Sequence, residues 1–280
     1  MKRGCGDAEL RNQITADGAS TKGNRMNLKI FGLLASITLC ITGANPSAAA
    51  DNPADAAIAA AIADGSRPEA DTKRDVQRKP AAMVAFAEVG PGSKVGEIFP
   101  GAGYFTRLFA KSVGPTGKIY AMVTPPRPNQ PDRTAAVKAI AADTAYSNVQ
   151  VVETSYLDLK VPEPLDVVWT SQNYHDLHVK RFNLNVAAVN KQVLKVLKPG
   201  GLYIVLDHAA ADGSGLRDPD TLHRIDPATV KQELLAAGFE YVGESKELRN
   251  TTDDKSKSVF DTSLRGNTDQ FVYKFRKPVK

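Results

Sequence analysis

From Ala81 to Phe275, short apolar runs alternate with stretches whose apolar residues recur every three or four positions, as strands interleaved with amphipathic helices do. The run 95–99 (VGEIF) predicts a buried strand, and Phe105, Leu108 and Phe109 share one face of a helix that begins at Tyr104. Further strands are predicted over 117–123, 149–154, 165–171 and 202–208. Helices are predicted over 81–89, 134–145, 182–197 and 227–239, the last ended by Gly238. The stretch 124–133 and Lys198-Pro199-Gly200-Gly201 read as loops, and Asp226 before Pro227 has the form of a helix N-cap. Strands joined by helices run parallel and are covered on both faces, which predicts an α/β, doubly wound, mostly parallel sheet. The tail breaks this rhythm. Segments 241–248 and 269–275 alternate apolar and polar residues around a long polar loop, as an antiparallel C-terminal hairpin would.

Between the strand at 95–99 and its helix lies Pro100-Gly101-Ala102-Gly103. Two glycines in so short a turn permit positive φ and let a ligand approach the backbone without meeting a Cβ. The unpaired N–H groups of the following helix then face the crevice at the carboxyl ends of the strands, where sheets of this kind bind ligands.

The amino terminus follows a different pattern. Residues 30–41 (IFGLLASITLCI) form a 12-residue apolar run behind Arg25 and Lys29, and Ala48-Ala49-Ala50 supplies small residues just before Asp51. The run is too short to span a bilayer, so it predicts a secretory signal cleaved near Ala50 and a soluble protein that is exported, periplasmic or secreted. Translation starting at Met26 would suit such a leader. The resulting division is a leader over 1–50, a charged, proline-punctuated N-terminal arm over 51–80 and a domain over 81–280.

Setting the leader aside changes the chemistry that composition allows. Six basic against three acidic residues of the first 50 carry three of the five net positive charges, and both cysteines, Cys5 and Cys40, lie there too. The remainder is nearly neutral and cysteine-free. That excludes disulfides and thiolate chemistry and gives no case for nucleic-acid binding, leaving a small-molecule ligand as the expected partner.

All four histidines, His175, His178, His208 and His223, fall just past the predicted strands 165–171 and 202–208 or in the loop beyond. Tyr174, Asp176, Asp207, Arg224 and Asp226 accompany them. Two chemistries suit such a rim. His175 or His208 paired with Asp176 or Asp207 makes a general base, the carboxylate fixing the tautomer. Alternatively, His175, His208 and His223 with Asp207 offer nitrogen and oxygen ligands of the kind zinc or iron accepts.

Across roughly residues 80–280 the order of segments resembles the class I S-adenosylmethionine-dependent methyltransferases, on the motifs VGEIFPGAGYFT, LDVVWTSQNYHDL and VLKPGGLYIVLDH. PGAGY, NYHDL, DHAA and LHRID are similar to segments of an exported, predicted-methyltransferase group. The resemblance implies a seven-stranded sheet and S-adenosylmethionine as cofactor, with Glu97, Gly101, Gly103 and Tyr104 around its methionine end and Asp158 near its adenine. On such a fold the rim would give catalytic work to His175 with Asp176, and Tyr174 and His208 would shape the acceptor pocket. The alternative is an exported protein that binds a metal or small ligand on the same fold. Three positions depart from the family pattern: Phe99 stands for the first motif glycine, Val123 for the ribose-binding acid and Ser155 for the acid at the adenine amine.

Overall fold

The computed structural model describes residues 52–126 and 132–279. The leader at 1–50 and the signal expected within it lie outside the described residues. Among those residues no helix is long and apolar enough to cross a membrane.

Four helices come first: α1 (Pro53–Ile62), α2 (Glu69–Thr72), α3 (Asp75–Arg78) and α4 (Pro80–Phe86). Then follow β1 (Lys94–Ile98), α5 (Tyr104–Val113), β2 (Lys118–Val123), α6 (Ala135–Ala142) and β3 (Val149–Glu153). The second half holds β4 (Leu165–Ser171), α7 (Val186–Val196), β5 (Leu197–His208), α8 (Pro227–Ala236), β6 (Glu240–Ser245) and β7 (Gln270–Arg276). The seven strands form one sheet in the order β3-β2-β1-β4-β5-β7-β6. The first five are parallel, while β7 runs antiparallel to both β5 and β6. The order reverses between β1 and β4, which places the ligand crevice above those two strands.

Both faces are covered, as continuous apolar strands require. On one face Phe105 and Phe109 of α5 pack on Trp169 of β4, with ring centroids 4.7 and 5.3 Å away. On the other, Val189 and Val193 of α7 and Val230 and Leu234 of α8 join Tyr203, Phe239 and Phe275. The stretch 197–201 is not a loop: β5 begins at Leu197, because Gly200 and Gly201 exchange backbone hydrogen bonds with Lys277 beyond β7.

Helices α1 to α3 lie on α5. Arg67 makes a two-pronged contact with Asp75 at 2.7 and 2.8 Å, and Asp75 accepts a bond from the Tyr104 hydroxyl at 2.7 Å. Arg107 reaches Asp71 at 2.9 Å while also donating to the carbonyls of Ala102 and Gly103. Segment 52–80 thereby ties the outer side of the glycine turn to the body of the domain.

Candidate functional site

The turn after β1 uses both its glycines, in different ways. Gly101 has φ +59 and open space where a Cβ would stand, so its backbone is exposed to whatever fills the crevice. Gly103 has φ +81, and a Cβ there would meet Ile140 Cδ1 at 2.1 Å; its smallness serves the packing of α6 against α5. Phe99, also at positive φ (+53), turns its ring onto Tyr156 at 4.4 Å. Asn173 from the loop after β4 donates to the Phe99 and Ser171 carbonyls and joins the ends of β1 and β4.

Above this turn lies a cavity of about 540 Å³, within the range of small-molecule sites. Phe99, Pro100 and Gly101 line it at the end of β1, Val123, Thr124, Pro125 and Pro126 at the end of β2, Tyr156 past β3, and Asn173, Asp176, Arg181 and Phe182 past β4. Phe99 lines the space and leaves it open. Asp176 is the one carboxylate among the described residues that line it; at the end of β2 the lining offers the hydroxyls of Thr124 and Thr134 and the guanidinium of Arg133 beside Val123. Glu97 lies buried below the turn and accepts a hydrogen bond from Thr106 at 2.5 Å. Burial pushes its carboxyl up to about 8, against the opposing pull of Thr106 and Arg78.

The rim beside Asp176 is built on β4 and β5. Asp207, buried near the end of β5, accepts the backbone N–H of His175 at 2.7 Å, its Nδ1–H at 2.9 Å and the backbone N–H of His208 at 2.7 Å. Burial would raise the Asp207 carboxyl, but His175 beside it holds it below the usual carboxylate range. For His175 burial works against the charge, yet Asp207 outweighs it and the imidazole is held above its ordinary value. His175 Nε2 then points toward Asp176 Oδ1 at 3.6 Å, and His223 Nδ1 stands 3.9 Å from the same oxygen. The three side chains offer ligand atoms within 4.8 Å of one another.

Other expected site residues sit elsewhere. Tyr174 is wholly buried, bonded to Glu233 and Asn190, and helps to lock α7 and α8 together; it does not reach the cavity. His178 bonds Glu233 at 3.1 Å, so three imidazoles gather at the rim and not four. His208 bonds Thr268 at 2.6 Å, and burial drives its pKa down to about 3, a neutral structural imidazole. Asp207 is taken up by His175 and His208, which leaves Asp176 as the open carboxylate. Tyr104 faces Asp75 and three arginines, Arg78 lying 4.7 Å over its ring, and is not part of the cavity wall. Asp158 pairs with Lys160 at the surface. Asp226 caps α8 by accepting the Ala228 N–H, as its place before Pro227 predicts. Besides Thr124, Arg133, Thr134 and Tyr156 past β2 and β3, the sequence reading missed Asn173, Arg181 and Phe182. These last three fall in or next to NYHDL, and only their loop's path over the crevice distinguishes them from ordinary surface residues.

No model of a known protein family matches the chain. It is similar to the ubiquinone/menaquinone biosynthesis C-methyltransferase UbiE of Burkholderia vietnamiensis, 30% identical over 132 residues, 45% of this chain and 48% of that protein. The UbiE of Cupriavidus metallidurans is 29% identical over 129 residues, 44% and 46% of the two chains. The chain therefore spans about half the length of the curated relatives it matches. Among solved structures, an S-adenosylmethionine-dependent methyltransferase from Aquifex aeolicus superposes with a TM-score of 0.54 at 16% identity. The match covers 74% of this chain and 95% of that one. The fold is that of the class I methyltransferases. The [4+2]-cyclase SpnF matches the same methyltransferase fold equally well, with a TM-score of 0.54 at 17% identity over 75% of this chain and 82% of its own. The fold thus positions the site without fixing its chemistry.

Proposed function

We propose that this protein is an S-adenosylmethionine-dependent methyltransferase acting on a small-molecule or envelope acceptor. The observation that carries the reading is the open cavity over Gly101, at the point where the strand order reverses between β1 and β4. The residues present suit the cofactor: a backbone at Gly101 with open space where a Cβ would stand, and an aromatic wall from Phe99 and Tyr156. The ribose-binding acid of the family pattern is replaced by Val123, with the hydroxyls of Thr124 and Thr134 close by. Bound there, S-adenosylmethionine would supply an electrophilic methyl group on a sulfonium centre. Gly101 and the first turn of α5 would hold its amino-acid end, and Tyr156 its nucleoside. Arg181 and Phe182 line the acceptor side. The cluster of His175, Asp176 and His223 receives the acceptor's nucleophilic atom and takes up its proton. Asp207 keeps His175 in the tautomer that leaves Nε2 free.

Calorimetric titration of the mature chain with S-adenosylmethionine and S-adenosylhomocysteine tests the cofactor role. One site per chain is expected, lost in Gly101→Val, which puts a branched side chain into the cavity; heat absent at millimolar ligand rejects the role. The apolar run 30–41 and the alanines before Asp51 support export to the periplasm or beyond. Amino-terminal sequencing of the exported product should begin near Asp51, and a mature terminus well before Ala48 contradicts that.

A further inference from the structure

We propose that His175, Asp176 and His223 form a divalent transition-metal site at the acceptor end of the cavity, with zinc as the best-suited ion. The inference rests on the methyltransferase reading and alters one role in it: with the ion bound, His175, Asp176 and His223 are ligands and no longer the proton acceptor, and the ion would offer its open coordination positions to an acceptor oxygen and favour loss of its proton to solvent. Several independent features of the structure converge on it.

The first is the donor set. Two imidazole nitrogens and a carboxylate oxygen suit zinc, iron and their neighbours, and three protein ligands with open positions is the pattern of catalytic centres. Zinc–nitrogen distances of about 2.1 Å give a tetrahedral edge of roughly 3.4 Å. The separations of 3.6 and 3.9 Å from Asp176 Oδ1 need only small side-chain adjustments to match it. Among the described residues, neither His175 Nε2 nor His223 Nδ1 has a hydrogen-bond partner, and both face the same carboxylate. The second is the support behind the ligands. The buried Asp207 takes the Nδ1–H of His175, so Nε2 carries its lone pair outward, the outer-shell arrangement usual for metal-binding histidines. The third is the backbone at His223, which holds a left-handed conformation at φ +54. Its neighbour Arg224 forms a fully buried pair with Asp253 at 2.8 Å and also bonds the Ala209 carbonyl. Ile225 exchanges backbone bonds with His208 and Ala210 at the end of β5. A strained residue fixed so firmly points to a functional side chain. The His223 ring stands edge-on to His175 at 5.4 Å, with the exposed Phe260 covering it at 4.8 Å. Asp176 lines the cavity, so the open positions of a bound ion face the ligand space.

The test uses the full mature chain, purified without a polyhistidine tag and stripped with chelator, then titrated with zinc chloride and, for its visible absorption, cobalt chloride. We expect one ion per chain, with cobalt d–d bands that zinc abolishes. His223→Asn and Asp176→Ala should each weaken binding at least about tenfold, and Asp207→Asn roughly 10- to 100-fold through His175. His178→Gln, whose imidazole lies at Glu233, should bind as the native chain does, and circular dichroism establishes that each variant is folded. No stoichiometric binding at about 100 µM ion, or equal affinity in native protein, His223→Asn and Asp176→Ala, overturns the proposal. S-adenosylhomocysteine binding is measured on the metal-free protein. Its loss would reject the cofactor reading while leaving the metal result to stand or fall alone.

Discussion

Two residues beside the site, the buried Glu97 and the half-buried His208, respond to pH in opposite directions. Glu97 has a carboxyl near 8 in the folded chain against an ordinary value near 4.5. A raised acid contributes stability that is whole below the unfolded value and is lost as pH climbs through the folded one. Melting temperatures of the native chain and of Glu97→Gln should therefore diverge as pH rises from about 4.5 to about 8 and stay apart above it, the native chain losing ground as Glu97 is forced to ionise. A difference that stays flat with pH would mean that the core already holds an ionised Glu97. His208 runs the other way: its pKa is depressed to about 3 by burial, so its contribution is present above about 6.5 and drains away as acid charges it. His175 and Asp176 were legible in the sequence because they follow a strand in a motif, NYHDL, that places polar residues at the crevice. The separate duties of Tyr174, His178 and His208 were not, since each depends on a partner distant in sequence: Glu233 for the first two and Thr268 for the third.

At the level of elements, the turn between β1 and α5 and the loop between β5 and α8 do the positioning. Gly103→Ala would force a left-handed alanine, at about 1–2 kcal/mol, and press its Cβ into Ile140. The expected result is a lower denaturation midpoint in urea together with weakened ligand binding, because α6 and the turn share that contact; an unchanged midpoint would show that α6 moves freely. The β5–α8 loop hangs on the Arg224–Asp253 pair, in which both side chains are buried completely. Asp253→Ala strands the guanidinium, and should cost about 3–5 kcal/mol in equilibrium unfolding while releasing His223 from the rim. Strands and helices were readable because apolar spacing reports burial directly. Asp253 gave no signal, lying in a polar loop whose sequence resembles any solvated turn.

For the molecule as a whole, the class of sheet, mostly parallel with an antiparallel C-terminal pair, was the most secure inference from sequence and residue roles the least. A parallel run of strands followed by an alternating tail leaves few sheet topologies, and the seven strands with an antiparallel last pair agree with what the methyltransferase resemblance implies; the insertion of β7 between β5 and β6 is what the structure adds. Roles depend on which side chains reach the cavity, and that is decided by loop paths and by α1 to α3 bracing the glycine turn through Asp71 and Arg107. Removing residues 52–79 should accordingly increase proteolytic cutting near Gly101–Gly103, whereas equal protection would make the segment dispensable. The central claim is that the space above Gly101 receives an adenosyl cofactor. It is tested most directly by a crystal structure of residues 51–280 grown with saturating S-adenosylhomocysteine. The account predicts continuous ligand density from the Gly101 turn to the Tyr156 ring, with its sulfur end toward Asp176. A cavity holding only solvent, or ligand bound anywhere else, would contradict it.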